Sequence, residues 1–261
     1  TGLVVSSSVF SSEEIDFNYY IIKAINEIYP KYKMGGYNIN RYYIHDIEYN
    51  NDLLKGNNSI NSPPSETMCV ATMLEVITTA IEIYSKETGD KKVFSKETGA
   101  PIQFWQGVKK TNIKPYIYVM DGVRSTGTGY ALEKFGMGRQ IKFEYLKEGD
   151  FINFSRTTES GHAVVFLGYL DKNGKILKNY SDKVVGFKYF SAQGKGKYDA
   201  GLGFRNAYFS GNCNSSTDSV LNDCKIFRNA YLYSGRMYSP QNWKINAAIT
   251  NIQYEILESN K

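Results

Sequence analysis

Between residues 13 and 29 the run EEIDFNYYIIKAINEIY sets Ile15, Tyr19, Ile22, Ile25 and Tyr29 three or four positions apart, which is the spacing of one helical face. The pattern predicts an amphipathic helix capped by Ser11 or Ser12 and ended near Pro30. YNINRYYIHDIEYN then reads as one or two strands, and KGNNSINSPPS as a loop rich in turn formers. A longer helix follows from Glu66 to about Ser85, with Ser65 as its cap and Val70, Met73, Leu74, Ile77, Ile81 and Tyr84 on one face. Cys69 falls in its first turn.

From Ile141 the period shortens to that of strands. IKFEYL, FINFSR, HAVVFLGYL and VVGFKYFSAQG are separated by KEGD, TTESG and DKNGK, so an antiparallel meander is expected. FRNAY occurs at 204–208 and again at 227–231, on either side of Cys213 and Cys224. That symmetry suits a two-stranded ribbon tied at its tip. RMYSPQNW breaks the pattern, and INAAITNIQYEIL is expected to close the chain as a strand. Two copies of SKETG, at 85–89 and 95–99, read as a local hairpin or surface elaboration. One helix with a cysteine, followed by a sheet with a histidine, is an α+β plan.

Composition narrows the function classes. The 261 residues are 42% hydrophobic and 22% charged, which supports a packed core and excludes a disordered chain. No apolar run reaches the roughly 20 residues of a membrane helix, so membrane insertion is not expected. Net charge is +5, spread along the chain; it suits anionic surroundings and is too weak to indicate nucleic acid. The chain has neither an initiator Met nor a basic, apolar leader, and reads as processed or trimmed.

Two histidines and three cysteines leave few ways to build a reactive site. At a helix N-terminus, unpaired N–H groups and the helix dipole would favour a Cys69 thiolate, a nucleophile at neutral pH. His162 opens an apolar strand after Ser160-Gly161, where its ring can project from the sheet as the base such a nucleophile needs. Cys213 and Cys224 either close a loop tip as a disulfide, which places the protein in an oxidising compartment, or stand as two thiols. No second Cys or His lies at zinc spacing, so no metal or cofactor is expected. The Gly-rich DGVRSTGTGY lacks the GK[ST] ending of a phosphate loop. His45, beside Asp46 and Glu48, reads as an exposed strand histidine, with a metal site as the alternative. Trp105 and Trp243 read as core, with a sugar-lining role as the alternative.

Pro-Ser-x-x-x-Cys heading a long helix, then GDFINF, then SGHAVVFLGY, then a strand ending in polar residues, resembles the papain-like amidohydrolases of bacterial cell walls, the NlpC-like and CHAP-like group. The resemblance covers roughly residues 61–200. It implies a Cys-bearing helix packed on an antiparallel sheet, with a helical extension at 1–60 and a β extension of the same domain at 201–261. It also implies Cys69 as nucleophile, His162 as base and a third polar residue on the next strand, Gln193 or Ser191, to orient the imidazole. Gly149 and Asp150 match the group's GD segment and are expected to make a turn. Where the group has a short Asp-Cys pair this chain has Thr67-Met68-Cys69, and the Cys69 N–H is the expected oxyanion donor.

The function implied is a secreted or periplasmic cysteine amidase or peptidase acting on peptidoglycan peptides. A toxin delivered into competing bacteria fits the same residues and implies an immunity protein as partner. The alternatives are a protease or transglutaminase-like toxin acting on proteins, and a non-catalytic polysaccharide-binding module.

Overall fold

The computed structural model describes residues 16–32, 35–39, 45–54, 66–106, 109–118, 126–194, 200–213, 222–227 and 232–261. The expected caps Ser11, Ser12 and Ser65, and most of the second FRNAY copy, lie outside them. The helices are α1 (Asn18–Tyr32), α2 (Cys69–Thr88), α3 (Ile102–Trp105), α4 (Lys114–Tyr118), α5 (Gly127–Lys134) and α6 (Ile245–Ser259). The strands are β1 (Ile47–Tyr49), β2 (Asp52–Leu54), β3 (Gly138–Gln140), β4 (Phe151–Ser155), β5 (Gly161–Leu170), β6 (Ile176–Leu177), β7 (Gly186–Gln193), β8 (Gly201–Phe209), β9 (Asn222–Ile226) and β10 (Leu232–Met237). The fold is α+β.

β1 and β2 form a small hairpin, and the main sheet runs β3-β10-β4-β5-β7-β8-β9 with β6 on β5. The meander β4-β5-β7-β8 is antiparallel. β8 and β9 are parallel, however, so the sheet is mixed; of the second FRNAY copy, expected to pair with the first, only Phe227 is among the described residues. β10 is inserted between the edge strand β3 and β4, which makes the chain's last third integral to the sheet.

Side-chain alternation divides two cores. Phe151, Ala163, Val165, Phe190 and Ala192 face the helices, whereas Ile152, Phe154, Val164, Phe166, Phe187 and Tyr189 face the other way. Sixteen of the 20 residues of α2 are buried, the mark of a helix enclosed on nearly all sides. Each large aliphatic side chain it sinks contributes about 1.5–3 kcal/mol. α5 approaches β10 through glycine on both sides: a Cβ on Gly129 would stand 2.8 Å from the Gly235 nitrogen, and one on Gly235 2.5 Å from the Gly129 Cα.

The second core is closed off by β9. One edge of β9 pairs with β8, and the other meets the end of β4: Arg156 bridges Ile226, Thr157 N donates to Lys225 O (2.8 Å) and Phe227 N to Ser155 O (3.3 Å). Strands β4, β5, β7, β8 and β9 thus curl into a ring around Phe154, Tyr189, Phe209 and Ile226. The Cys213–Cys224 disulfide, with a Cα–Cα distance of 5.6 Å, ties β9 to the end of β8.

Four expectations are corrected. IKFEYL is no strand: Phe143–Tyr145 is a 3-10 turn, fixed by the Tyr169 hydroxyl, which donates to Phe143 O (2.5 Å) and accepts from Leu146 N (3.0 Å). INAAITNIQYEIL is α6, because Ile245, Ile249, Ile252 and Ile256 make a helical stripe against the first core; β-branched composition hid that period. α1 runs through Pro30, whose missing N–H falls in its last turn. Finally, the first SKETG copy ends α2 at Gly89, which has φ +74°.

Gly149 (φ +93°) makes the turn expected of the GD segment. The fully buried Asp150 receives Arg236 Nε and Nη2 (2.8 and 2.7 Å), Asn18 Nδ2 (2.8 Å) and Lys147 N (2.7 Å). It is a structural anchor joining α1, β4 and β10, and it holds the sheet that carries His162.

Candidate active site

Cys69 is the first residue of α2, and no side chain caps the helix at Met68. An uncapped helix start leaves N–H groups for other acceptors, and the Val70 N–H is directed at the cysteine sulfur. The Ala163 N–H and the Tyr37 hydroxyl converge on the same atom. These donors favour a thiolate, yet Cys69 is only 6% exposed, and burial pushes its thiol above the ordinary cysteine value. The expectation of a resting thiolate is therefore corrected: desolvation outweighs the helix terminus.

Ala163 is free to donate because the β5–β7 ladder ends at Val165 and Phe190. Beyond that pair, the Ala163 carbonyl accepts Ser191 Oγ (2.7 Å) while its N–H turns to Cys69. Continued along the two strands, the register sets His162 opposite Gln193. The His162 ring stands edge-on to Phe154 and Tyr189, with centroids 5.5 and 5.7 Å away.

Gln193 hydrogen-bonds the imidazole, and its Oε1 also accepts the Tyr189 hydroxyl (3.4 Å). His162 Nε2 is buried without a hydrogen-bond partner among the described residues. An unpartnered Nε2 leaves the imidazole an acceptor site, as a general base requires. Burial, then the nearby Arg156 and Arg205 guanidinium groups, hold the His162 pKa well below the usual histidine value. Thiol and imidazole are both neutral at rest.

The structure thus brings Cys69 to the amide immediately after His162, but the two side chains do not pair: Cys69 packs in the core that faces the helices, whereas the His162 ring packs on Phe154 and Tyr189 of the opposite core. It places Gln193 against the imidazole and Ser191 against the neighbouring backbone. His162, Gln193, Tyr189, Tyr37, Arg156 and Arg205 line a cavity of about 390 Å³ at the mouth of the strand ring, with Asp223 and Lys225 of β9 on its far wall.

Tyr37 lines that cavity and also contacts Cys69. Its hydroxyl accepts the Cys69 backbone N–H as well as contacting the sulfur, and its ring lies on Gly194, where a Cβ would come 2.7 Å from Cδ1. A parallel bridge to Thr67 fixes the segment. Sequence reasoning missed Tyr37, Arg156 and Arg205. Tyr37 follows Gly35-Gly36 in a stretch with no motif, and both arginines sit in strands read only for apolar alternation.

The other candidates are structural. His45 is buried, not exposed as expected: its Nδ1 lies 2.9 and 3.0 Å from the Glu75 carboxylate, and its ring stacks on Tyr32 at 3.5 Å. Trp105 donates to the Tyr49 hydroxyl and Trp243 to the Tyr238 carbonyl, each at 2.8 Å, and both are buried. Among the described residues no group of three or more His, Cys, Asp or Glu is placed to hold a metal ion, and no helix is long and apolar enough to cross a membrane. Compared with protein-family models, curated proteins and solved structures, the chain has no significant match.

Proposed function

We propose that the protein is a cysteine amidase or peptidase that hydrolyses amide bonds in peptidoglycan peptides. The observation that carries this reading is the convergence at the open end of β5 and β7. There a buried cysteine at a helix start meets the amide next to His162, whose unpartnered Nε2 and neighbouring Gln193 suit a base.

As substrate enters, Tyr37 gives way and leaves the Cys69 N–H to the carbonyl oxygen. The Cys69 thiol proton passes to His162 by way of a water molecule, since the resting imidazole does not touch the sulfur, as the sulfur attacks the carbonyl carbon. The C–N bond breaks, the imidazolium returns the proton to the departing amine, and a thioester remains on Cys69. Water, deprotonated by His162, then attacks the thioester and releases the acid and the thiol. Because both partners are neutral at rest, the proton moves within the reacting complex rather than before it. Gln193 holds the imidazole orientation throughout, and no metal or cofactor takes part.

Three features support a wall substrate: the likeness of Cys69, GDFINF and SGHAVVFLGY to wall amidohydrolases, the +5 charge, and a disulfide that suits a secreted or periplasmic protein. Delivery as a toxin, with an immunity protein as partner, follows the same line. Digestion of purified sacculi tests the reading. The wild type is expected to release soluble peptides with new amino termini, and Cys69→Ala none; equal release by both, or none by either, overturns it.

A further inference from the structure

The cavity beside His162 has a charge pattern that the hydrolytic mechanism does not use. Among the described residues, three cationic side chains, Arg156, Arg205 and Lys225, line it with the carboxylate of Asp223. Arg205 is 5% exposed, although it stands on a strand that faces the cavity mouth. Arg156 is held in place: Nε donates to Asp223 Oδ2 (2.5 Å), and Nη1 reaches Ser160 Oγ (3.3 Å) and Gly161 O (3.5 Å). Its Nη2 makes no hydrogen bond among the described residues. Gln193 Nε2, also buried and lining the cavity, is a second donor without a partner. A buried donor left unpaired costs about 1–3 kcal/mol, so an acceptor that enters here is bound with more than coulombic attraction.

We propose that this cavity is a subsite for a carboxylate of the substrate peptide adjoining the scissile amide, held by Arg156 and Arg205 and capped by the Gln193 amide. The inference rests on the peptidase reading and adds its specificity. Planar guanidinium groups match a carboxylate in two-point geometry, which a neutral carboxamide of the same shape cannot supply. The enzyme therefore selects wall peptides with a free acid beside the cut bond and discriminates against peptides amidated there.

The test varies the ligand, leaving the fold untouched. Synthetic stem peptides are prepared with each carboxylate free or converted to carboxamide, and kcat/KM is measured with wild type alongside calorimetric binding to Cys69→Ala. Amidation at one position is expected to lower both about ten- to a hundred-fold, at the strength of a charge-assisted contact. Arg156→Gln should lose most of that preference while still cleaving the amidated peptide. Cleavage of free and amidated peptides at equal rates overturns the subsite and leaves the peptidase standing. Failure of the wild type to cleave or of Cys69→Ala to bind any of them overturns both.

Discussion

The Tyr37 hydroxyl bonds Cys69 twice, at the backbone N–H and at the sulfur. The first contact occupies the donor expected to hold an oxyanion, and the second stabilises the thiolate. Tyr37→Phe keeps the ring on Gly194 and removes both. Since the hydroxyl lowers the thiol pKa within an overall upward shift, its loss should move the alkylation midpoint of Cys69 to higher pH. An iodoacetamide rate profile from pH 6 to 11 reads this directly; a midpoint unchanged or shifted downward contradicts the contact.

The opposed shifts at Cys69 and His162 set the pH dependence. A depressed histidine pKa means that the base remains unprotonated as pH falls below the ordinary value of about 6.5, so the acid limb of kcat/KM should lie below that value. A raised thiol pKa means that Cys69 at pH 7 is alkylated more slowly than free cysteine. Arg156 contributes to depressing His162, so Arg156→Gln should move the acid limb upward. A limb at or above 6.5 in the wild type would show that His162 is not the base or is not buried.

Gln193 and Ser191 separate by their partners. Gln193→Ala removes the polar neighbour of the imidazole and should lower kcat about 100-fold, within the range of general-base catalysis. Gln193→Glu places an anion there and should instead raise the acid limb. Ser191→Ala loses only the bond to the Ala163 carbonyl, about 1 kcal/mol of stability, and kcat should change little. Equal effects of the two alanine variants on kcat would contradict the assignment.

The Cys-bearing helix, the strands around His162 and the Gln193 strand were all legible because apolar period and turn residues agree there. The GD turn was legible too, and Asp150 proves to be the buried partner of Arg236. What escaped was long-range. Nothing local to His45 announces that Glu75, 30 residues on, draws it into the core. The parallel β8–β9 pairing and the ring closure at Arg156 depend on contacts between distant segments, as does the cationic cavity. The resting charge of Cys69 escaped for another reason: the helix terminus is visible in sequence, whereas the burial that overrides it is not.

The disulfide bears on the cavity as well as on stability. Cys224 stands beside Asp223, which fixes Arg156, and both line the wall made by β9. Cys213→Ser with Cys224→Ser removes a cross-link across 11 positions, a constraint of about 3 kcal/mol. The double variant should melt lower and show a raised KM with kcat less affected, measured with the preferred stem peptide. An unchanged KM would show that β9 holds the wall without the bridge.

The account stands most directly on the thioester at Cys69. Intact-protein mass spectrometry of samples acid-quenched within milliseconds of mixing with stem peptides should show an acyl adduct that maps to the peptide containing Cys69. The adduct should decay as free acid forms and be absent from Cys69→Ala. Turnover with no adduct, at a rate that Cys69→Ala shares, would contradict the account.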